Sequence, residues 1–260
     1  VSSGAPVPDS AERFTGRAAA YSRYRPRYPL SLVTLLEAEL GLRPDWRIVD
    51  LGSGTGLSAE PFLAHGNPVW AVEPNAEMRG VAEERLGASP LFHSVAGHAE
   101  RTGLPDAGFD LILAAQAFHW FDVDAARAEA LRILRPGGWA VLAWNTRRSE
   151  ASPFLRAYEE LLKRHGTDYE AVRHDRLARA AIERFFGGPF TLRVLDNEQL
   201  MHRDALRGRL ASTSYVPAHG EPGHAPMMRE LDALFDAHQQ RGQVRFAYDL
   251  EVCWARLDRS

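Results

Sequence analysis

Val49-Asp50-Leu51-Gly52-Ser53-Gly54-Thr55-Gly56 is the stretch that decides the fold. The residues leading into it, Arg47-Ile48-Val49-Asp50-Leu51, read as a short buried strand, and glycines then fall at alternate positions. Without a Cβ, such a turn lets backbone N–H groups come close to a ligand. A helix is expected from about residue 57 to 65, so the turn joins a strand to a helix. The same alternation continues outward. Residues 69–73 read as a second strand, and Asn75 is placed to cap a helix running to about residue 86. Residues 91–95 form a third strand. The near-continuous apolar run 109–115 is typical of a fourth strand covered on both faces. Asp122 can cap a helix to residue 134, stopped by Pro136-Gly137-Gly138, and residues 139–144 make a fifth strand.

Past Asn145 the rhythm changes. Helices are expected at 154–165 and 176–186, a strand at 190–195, and a mostly helical block at 203–240 interrupted by a Pro- and His-containing loop at 217–226. A last strand covers 244–254. The sum is an α/β protein with a doubly wound, mostly parallel seven-stranded sheet and a helical cap. Residues 1–10 have the composition of a flexible tail. A single domain then spans 11–260, with an N-terminal lid segment at 11–30 and cap inserts at about 150–188 and 203–240.

Composition narrows the functions. The 260 residues are 45% hydrophobic and 25% charged, ordinary for a soluble domain, and the net charge of −3 gives no basic field for nucleic acid. Cys253 is the only cysteine, which excludes an intramolecular disulfide or a thiolate metal cluster, and its apolar alternating surroundings suit a packed thiol. His219 and His224 lie five apart with no carboxylate or cysteine close in sequence, so no metal site is expected. No stretch approaches 18 apolar residues and no secretory apolar core opens the chain, so a cytoplasmic location without membrane contact is expected.

The acid that follows the glycine turn is Glu73, at the tip of the second strand, where a carboxylate can accept hydrogen bonds from both hydroxyls of a ribose. Nicotinamide enzymes use Gly-x-Gly-x-x-Gly, which seats a pyrophosphate on the helix N-terminus. Here the third glycine comes one residue early and Asp50 begins the loop. A carboxylate there suits a cofactor with a cationic end, such as the ammonium and sulfonium of S-adenosylmethionine (SAM).

Five motifs carry a family resemblance in the right order: residues 49–56, Ala71-Val-Glu-Pro-Asn-Ala-Glu-Met78, Gly97-His-Ala-Glu-Arg-Thr-Gly-Leu-Pro105, the run 109–120 ending Gln116-Ala-Phe-His-Trp120, and Leu134-Arg-Pro-Gly-Gly138. Through them the sequence resembles the class I SAM-dependent methyltransferases, in the small-molecule branch of trans-aconitate and ubiquinone-type enzymes. The resemblance covers residues 12–145 well and the remainder loosely. It implies that Asp50, Gly52, Ser53 and Gly54 line the methionine end of SAM. Glu73 would hold the ribose, with Pro74 and Met78 against the adenine. His98 and Ala99 occupy the segment that contacts the adenine amine; many relatives have Asp where this chain has His98, and the Ala99 backbone could serve instead. Gln116 would meet the methionine portion. S-adenosylhomocysteine is the implied product and a small molecule the implied acceptor, with an acidic or aromatic metabolite preferred, for a monomer or homodimer. A SAM-binding regulator or a non-methylating biosynthetic enzyme on the same fold is the alternative.

Methyl transfer depends largely on alignment of nucleophile and methyl carbon, so an obvious catalytic pair is not required. His119, just past the carboxyl end of the fourth strand, is the candidate base, with Trp120 beside it as a substrate contact. In the lid segment Tyr21 is the expected inward aromatic. Arg17, Arg23, Arg25 and Arg27 offer guanidinium groups, of which Arg25 is the pocket candidate for an anionic substrate.

Overall fold

The apolar run ahead of the glycine turn forms β1 (Ile48–Leu51), every residue of which is buried. In the computed structural model, which describes residues 18–166, 179–213 and 215–258, β1 lies inside a seven-stranded sheet. It pairs in parallel with β2 (Val69–Val72) on one side and β4 (Phe109–Ala115) on the other. Strand β3 (Phe92–Val95) extends the sheet beyond β2, and β5 (Leu134–Arg147) extends it beyond β4, both in parallel. The far edge is different. β7 (Val244–Arg256) runs antiparallel between β5 and β6 (Thr191–Met201), giving the order β3-β2-β1-β4-β5-β7-β6. The chain winds outward from β1 to β3 and then returns to β4. Strand order therefore reverses between β1 and β4, and the crevice at their carboxyl ends is where open α/β sheets bind ligands.

The period-two alternation of the strands sends side chains to two separate cores. On one face Ile48, Leu111 and Leu113 pack against Leu32, Leu36 and Leu40 of α2 (Leu30–Leu40), which follows the short α1 (Ala18–Tyr24), and against Phe62 of α3 (Glu60–His65). On the other, Val49, Ile112 and Ala114 meet Ala126, Ala130 and Ile133 of α5 (Val123–Ile133), which comes after α4 (Ala76–Leu86). Asp122 caps α5 by accepting from the N–H groups of Asp124 and Ala125, and Asn75 caps α4 by accepting from Met78.

A third core builds the cap. β5 makes its last pairing at Arg147↔Tyr248, whereas β6 and β7 continue together to Met201↔Val244. That overhanging ribbon presents Phe246 and Tyr248 to α6 (Pro153–His165). After α7 (Arg179–Phe186), which packs on the sheet through Phe185, the chain adds α8 (Arg203–Ala211) and α9 (His224–His238) to the cap through Leu206, Leu210, Leu231 and Phe235. The Phe246 ring meets Phe154 at 5.3 Å and Tyr158 at 5.1 Å, both edge-on. Cys253 is buried in β7, where enclosure pushes its thiol up to about 12.

Three boundaries differ from the sequence reading. Pro136-Gly137-Gly138 does not stop a helix but lies inside β5. Its partner register jumps from Phe109↔Leu134 to Leu111↔Trp139, so the segment is a bulge, and Gly137 takes its positive φ of 75°. α3 begins at Glu60 rather than near residue 57, with Pro61 in the first turn, where a missing N–H costs no bond. β6 continues to Met201, well past residue 195. It is the edge strand, so one face stays wet, and its polar residues hide it from an apolar-run search. The tail at 1–10, the first part of the lid with Arg17, and residues 167–178 of the first insert lie outside the described residues. Among those described, no helix is long and apolar enough to cross a membrane.

Candidate functional site

A cleft of about 1010 Å³, counting its open mouth, lies at the carboxyl ends of β1, β2 and β4. Its floor is the glycine turn. Gly52, Gly54 and Gly56 all have positive φ (66°, 56° and 77°), a conformation L side chains rarely adopt. Space is short as well. A Cβ on Gly52 would stand 2.6 Å from the Ala117 Cβ, and one on Gly56 would stand 2.5 Å from Leu86 Cδ1. Gly52 thus admits the loop after β4, and Gly56 admits α4. A Cβ on Gly54 would point at Met78 Cε, 3.3 Å away, so Gly54 and Met78 together shape one wall.

Two acids are enclosed here with different partners. Glu73, 8% exposed, accepts the Gly54 N–H at 2.9 Å on Oε2 and the Asn75 N–H at 2.9 Å on Oε1. These bonds fix the carboxylate at the cleft wall and favour its charged form, but burial outweighs them and raises its pKa. Asp50 is fully enclosed beneath the turn. Its Oδ2 accepts from Ser58 Oγ at 2.6 Å, while Oδ1 is buried without a hydrogen-bond partner. Desolvation, opposed by Ser58 and reinforced by the Glu73 charge, pushes the Asp50 carboxyl from 3.8 to about 7. A buried carboxyl with an unused oxygen is a poor structural choice and a suitable counter-charge for a cationic ligand.

The cleft brings together most of the residues singled out from sequence. Gly52, Ser53, Gly54, Glu73, Pro74, Met78, His98, Ala99, Gln116 and Trp120 line it, as do Tyr21 and Arg25 of the lid segment. Asp50 sits behind that lining, reached through Ser58, which does line it. Gln116 has a φ of 56°, unusual for a residue with a side chain, and its N–H donates to Ala143 O at 2.9 Å. Backbone strain of this kind gathers at functional sites. His98 is exposed at the rim, and Ala99 is buried beside it.

His119 stands apart. It does not line the cleft, although Gln116, Ala117, Trp120 and Phe121 around it do. The run Phe118–Trp120 is a 3₁₀ turn, which rotates successive side chains by about a third of a circle. Phe118 therefore enters the core, Trp120 reaches the cleft, and His119 takes a third direction, its ring 4.7 Å from that of Trp120. Among the described residues the cleft lining runs from Tyr21 to Asn145 and includes none from residues 203–240. The apolar faces of α8 and α9 are spent on their own core. His219 and His224 meet edge-on at 5.2 Å away from the cleft, and among the described residues no group of three or more His, Cys, Asp and Glu could hold a metal.

Two lining residues escaped the sequence reading. Tyr28 is buried, and enclosure raises its phenol well above the ordinary value, with Tyr21 and Asp50 adding to the shift, so the hydroxyl stays protonated. Asn145 lies near the carboxyl end of β5, 8% exposed, with Oδ1 accepting from Asn197 Nδ2 at 2.7 Å. A signal existed for Asn145: it is the first polar residue after an apolar strand, on the ligand edge of the sheet. Tyr28, between Arg27 and Pro29, carried none.

The chain is similar to known methyltransferases. Residues 49–142 match the profile of a methyltransferase domain. An uncharacterized methyltransferase of Mycobacterium tuberculosis is 37% identical over 158 residues, 61% of this chain and 62% of that protein. The chain thus spans under two thirds of the length of the first curated relatives it matches. A ubiquinone/menaquinone biosynthesis C-methyltransferase of Cupriavidus necator is 35% identical over 106 residues, 39% of this chain and 44% of that protein. Among solved structures, one assigned to a type II methyltransferase of Anaeromyxobacter dehalogenans superposes with a TM-score of 0.67 at 26% identity, covering 90% of this chain and 98% of that one.

Proposed function

We propose, for a chain that carries a methyltransferase domain and the class I Rossmann-like fold, that it transfers a methyl group from SAM to a small-molecule acceptor. The observation that carries the reading is Glu73. Two backbone N–H groups hold its carboxylate at the end of β2, at the wall of a cleft lined by the positive-φ glycines Gly52 and Gly54. The carboxylate suits the paired hydroxyls of a ribose. Asp50 supplies the buried negative charge that a cationic methionine end calls for, and its unused Oδ1 fits such a group. Gly52, Ser53, Gly54 and Gln116 would line that end, Pro74 and Met78 would cover the adenine, and His98 with Ala99 would border its amine. SAM would bring a methyl group already activated by sulfonium. The chain's own task is then to bind both partners, align them and exclude water. His119, outside the cleft lining, would act through its ring contact with Trp120 as a positioning residue.

Calorimetry with SAM, S-adenosylhomocysteine and NAD tests the cofactor assignment. Binding of the first two and not of NAD is expected, and the reverse pattern would overturn it. Labelled methyl transfer across an acceptor panel then tests the activity, and transfer to protein or nucleic acid alone would remove the small-molecule reading.

A further inference from the structure

A chain of side-chain amides runs from the cap ribbon to the cleft, and its hydrogen bonds have a fixed direction. Asn197 stands on β6, where its Oδ1 accepts the Glu198 N–H at 2.9 Å. Its Nδ2 donates to two oxygens, Arg27 O at 2.8 Å and Asn145 Oδ1 at 2.7 Å. Arg27 O is a main-chain carbonyl and can only accept, so the nitrogen and oxygen of Asn197 cannot trade places. Both hydrogens of that nitrogen are thereby spent, and the atom it meets on Asn145 has to be the oxygen. Asn145 then turns its own Nδ2 to the Tyr28 hydroxyl, with which it forms a hydrogen bond. An amide nitrogen only donates, so the Tyr28 oxygen is the acceptor of that bond and its hydrogen points elsewhere.

Tyr28 lines the cleft, 9% exposed, and among the described residues no protein oxygen takes its hydrogen. Both acids of the site are passed over: Glu73 accepts the Gly54 and Asn75 N–H groups, and Asp50 Oδ1 stays without a partner. An enclosed hydroxyl with its oxygen filled and its hydrogen unused calls for an acceptor atom on a ligand. Its place in the sheet says which ligand. Glu73 ends β2, the glycine turn follows β1, Gln116 follows β4, and Asn145 belongs to β5. The Tyr28–Asn145 pair thus stands at the far end of the cleft from the ribose wall. A cofactor held at Glu73, with its cationic end over Asp50, leaves that far end to the second reactant. We infer that the Tyr28 hydroxyl is a specificity-determining donor to an oxygen of the methyl acceptor, with Asn145 and Asn197 as the positioning residues that set its direction. The inference rests on the SAM reading, which fixes the ribose end.

The experiment reads acceptor preference apart from cofactor binding. Labelled transfer from SAM uses small aromatic acceptors in matched pairs, one member with a carbonyl oxygen and the other with a methylene in its place. Calorimetry uses S-adenosylhomocysteine and 5′-methylthioadenosine, which keeps the nucleoside and lacks the amino-acid end. The wild type favours the oxygen-bearing members. Tyr28→Phe, which keeps the ring, raises KM for them by about 10-fold and leaves their partners and the S-adenosylhomocysteine affinity unchanged. Asn145→Asp keeps an oxygen for Asn197 but takes the Tyr28 hydrogen for itself, and lowers the same preference. Asn197→Ala, outside the cleft lining, frees the Asn145 amide to turn and acts in the same direction. A merely structural role would move both members of a pair alike. Equal handling of the pairs by the wild type, absent transfer included, overturns the assignment, as does a preference that survives Tyr28→Phe. So does a Tyr28→Phe protein that loses S-adenosylhomocysteine but keeps 5′-methylthioadenosine, which would give the hydroxyl to the cofactor. A wild type that binds neither nucleoside would instead sink the SAM reading beneath it.

Discussion

At the scale of the residue, Asp50 is the most consequential side chain of the site. In the unfolded chain its carboxyl titrates near 3.8 and in the folded protein at about 7, so the folded state holds the proton more tightly. The stability this group contributes is therefore complete below about pH 4 and lost as pH rises to about 7, roughly 4 kcal/mol at most. Asp50→Asn keeps an oxygen for the Ser58 hydroxyl and removes the charge. Without ligand, it should melt higher than the parent at pH 8 and lose that advantage near pH 4 in thermal unfolding. A cationic ligand reverses the balance by drawing Asp50 into its charged form. SAM binding near pH 6.5 should then release a proton, seen as a dependence of the calorimetric heat on buffer ionisation, and Asp50→Asn should abolish it. For Glu73→Ala a marked loss of SAM affinity is expected, since two N–H groups lose their acceptor along with the proposed ribose contact. Unchanged affinity in a titration would show that the ribose is held elsewhere.

Elements explain why some of this could be read in advance and some not. The strands from β1 to β4 are buried on both faces or end in a motif, so apolar runs and glycine spacing mark them. The glycine turn was legible because a positive φ at three alternate positions leaves few residues to choose from. His119 shows the limit: spacing places it after β4, but a 3₁₀ turn decides where each side chain points, and one residue separates the cleft from its surroundings. β6 was half-visible because an edge strand needs no second apolar face. Tyr28 depends on how the lid segment lies over the end of β5, a tertiary fact with no local sequence mark, whereas Asn145 had one as the first polar residue after the apolar run 139–144. Gly52→Ala tests the element scale directly. With a positive φ and a Cβ 2.6 Å from that of Ala117, it should cost roughly 2–4 kcal/mol in denaturant unfolding as the loop after β4 is pushed away. The joint between α1 and α8 is a second case. Arg209, buried in α8, donates to Tyr24 O at 3.1 Å, and Gly208 leaves room for the Tyr24 ring. Gly208→Ala should displace α1 with its Tyr21, raising protease sensitivity near residues 24–30.

The molecule as a whole joins a two-sided sheet to a cap that carries its own core. Phe246 is fully enclosed on the overhanging ribbon among Phe154, Tyr158 and Tyr248. Phe246→Ala should cost about 3–5 kcal/mol. Hydrogen exchange should show the loss concentrated in α6, α8 and α9, with the strands around β1 still protected; uniform loss across the sheet would mean that sheet and cap unfold as one. The sheet order has a further consequence, for the birth of the protein. β7 is threaded between β5 and β6 yet follows both in the chain. While the ribosome is still making residues before Val244, β6 has no neighbour to pair with and β5 ends in an open edge. The nascent chain must wait for a distant segment before that side of the sheet can close, a slow and aggregation-exposed interval.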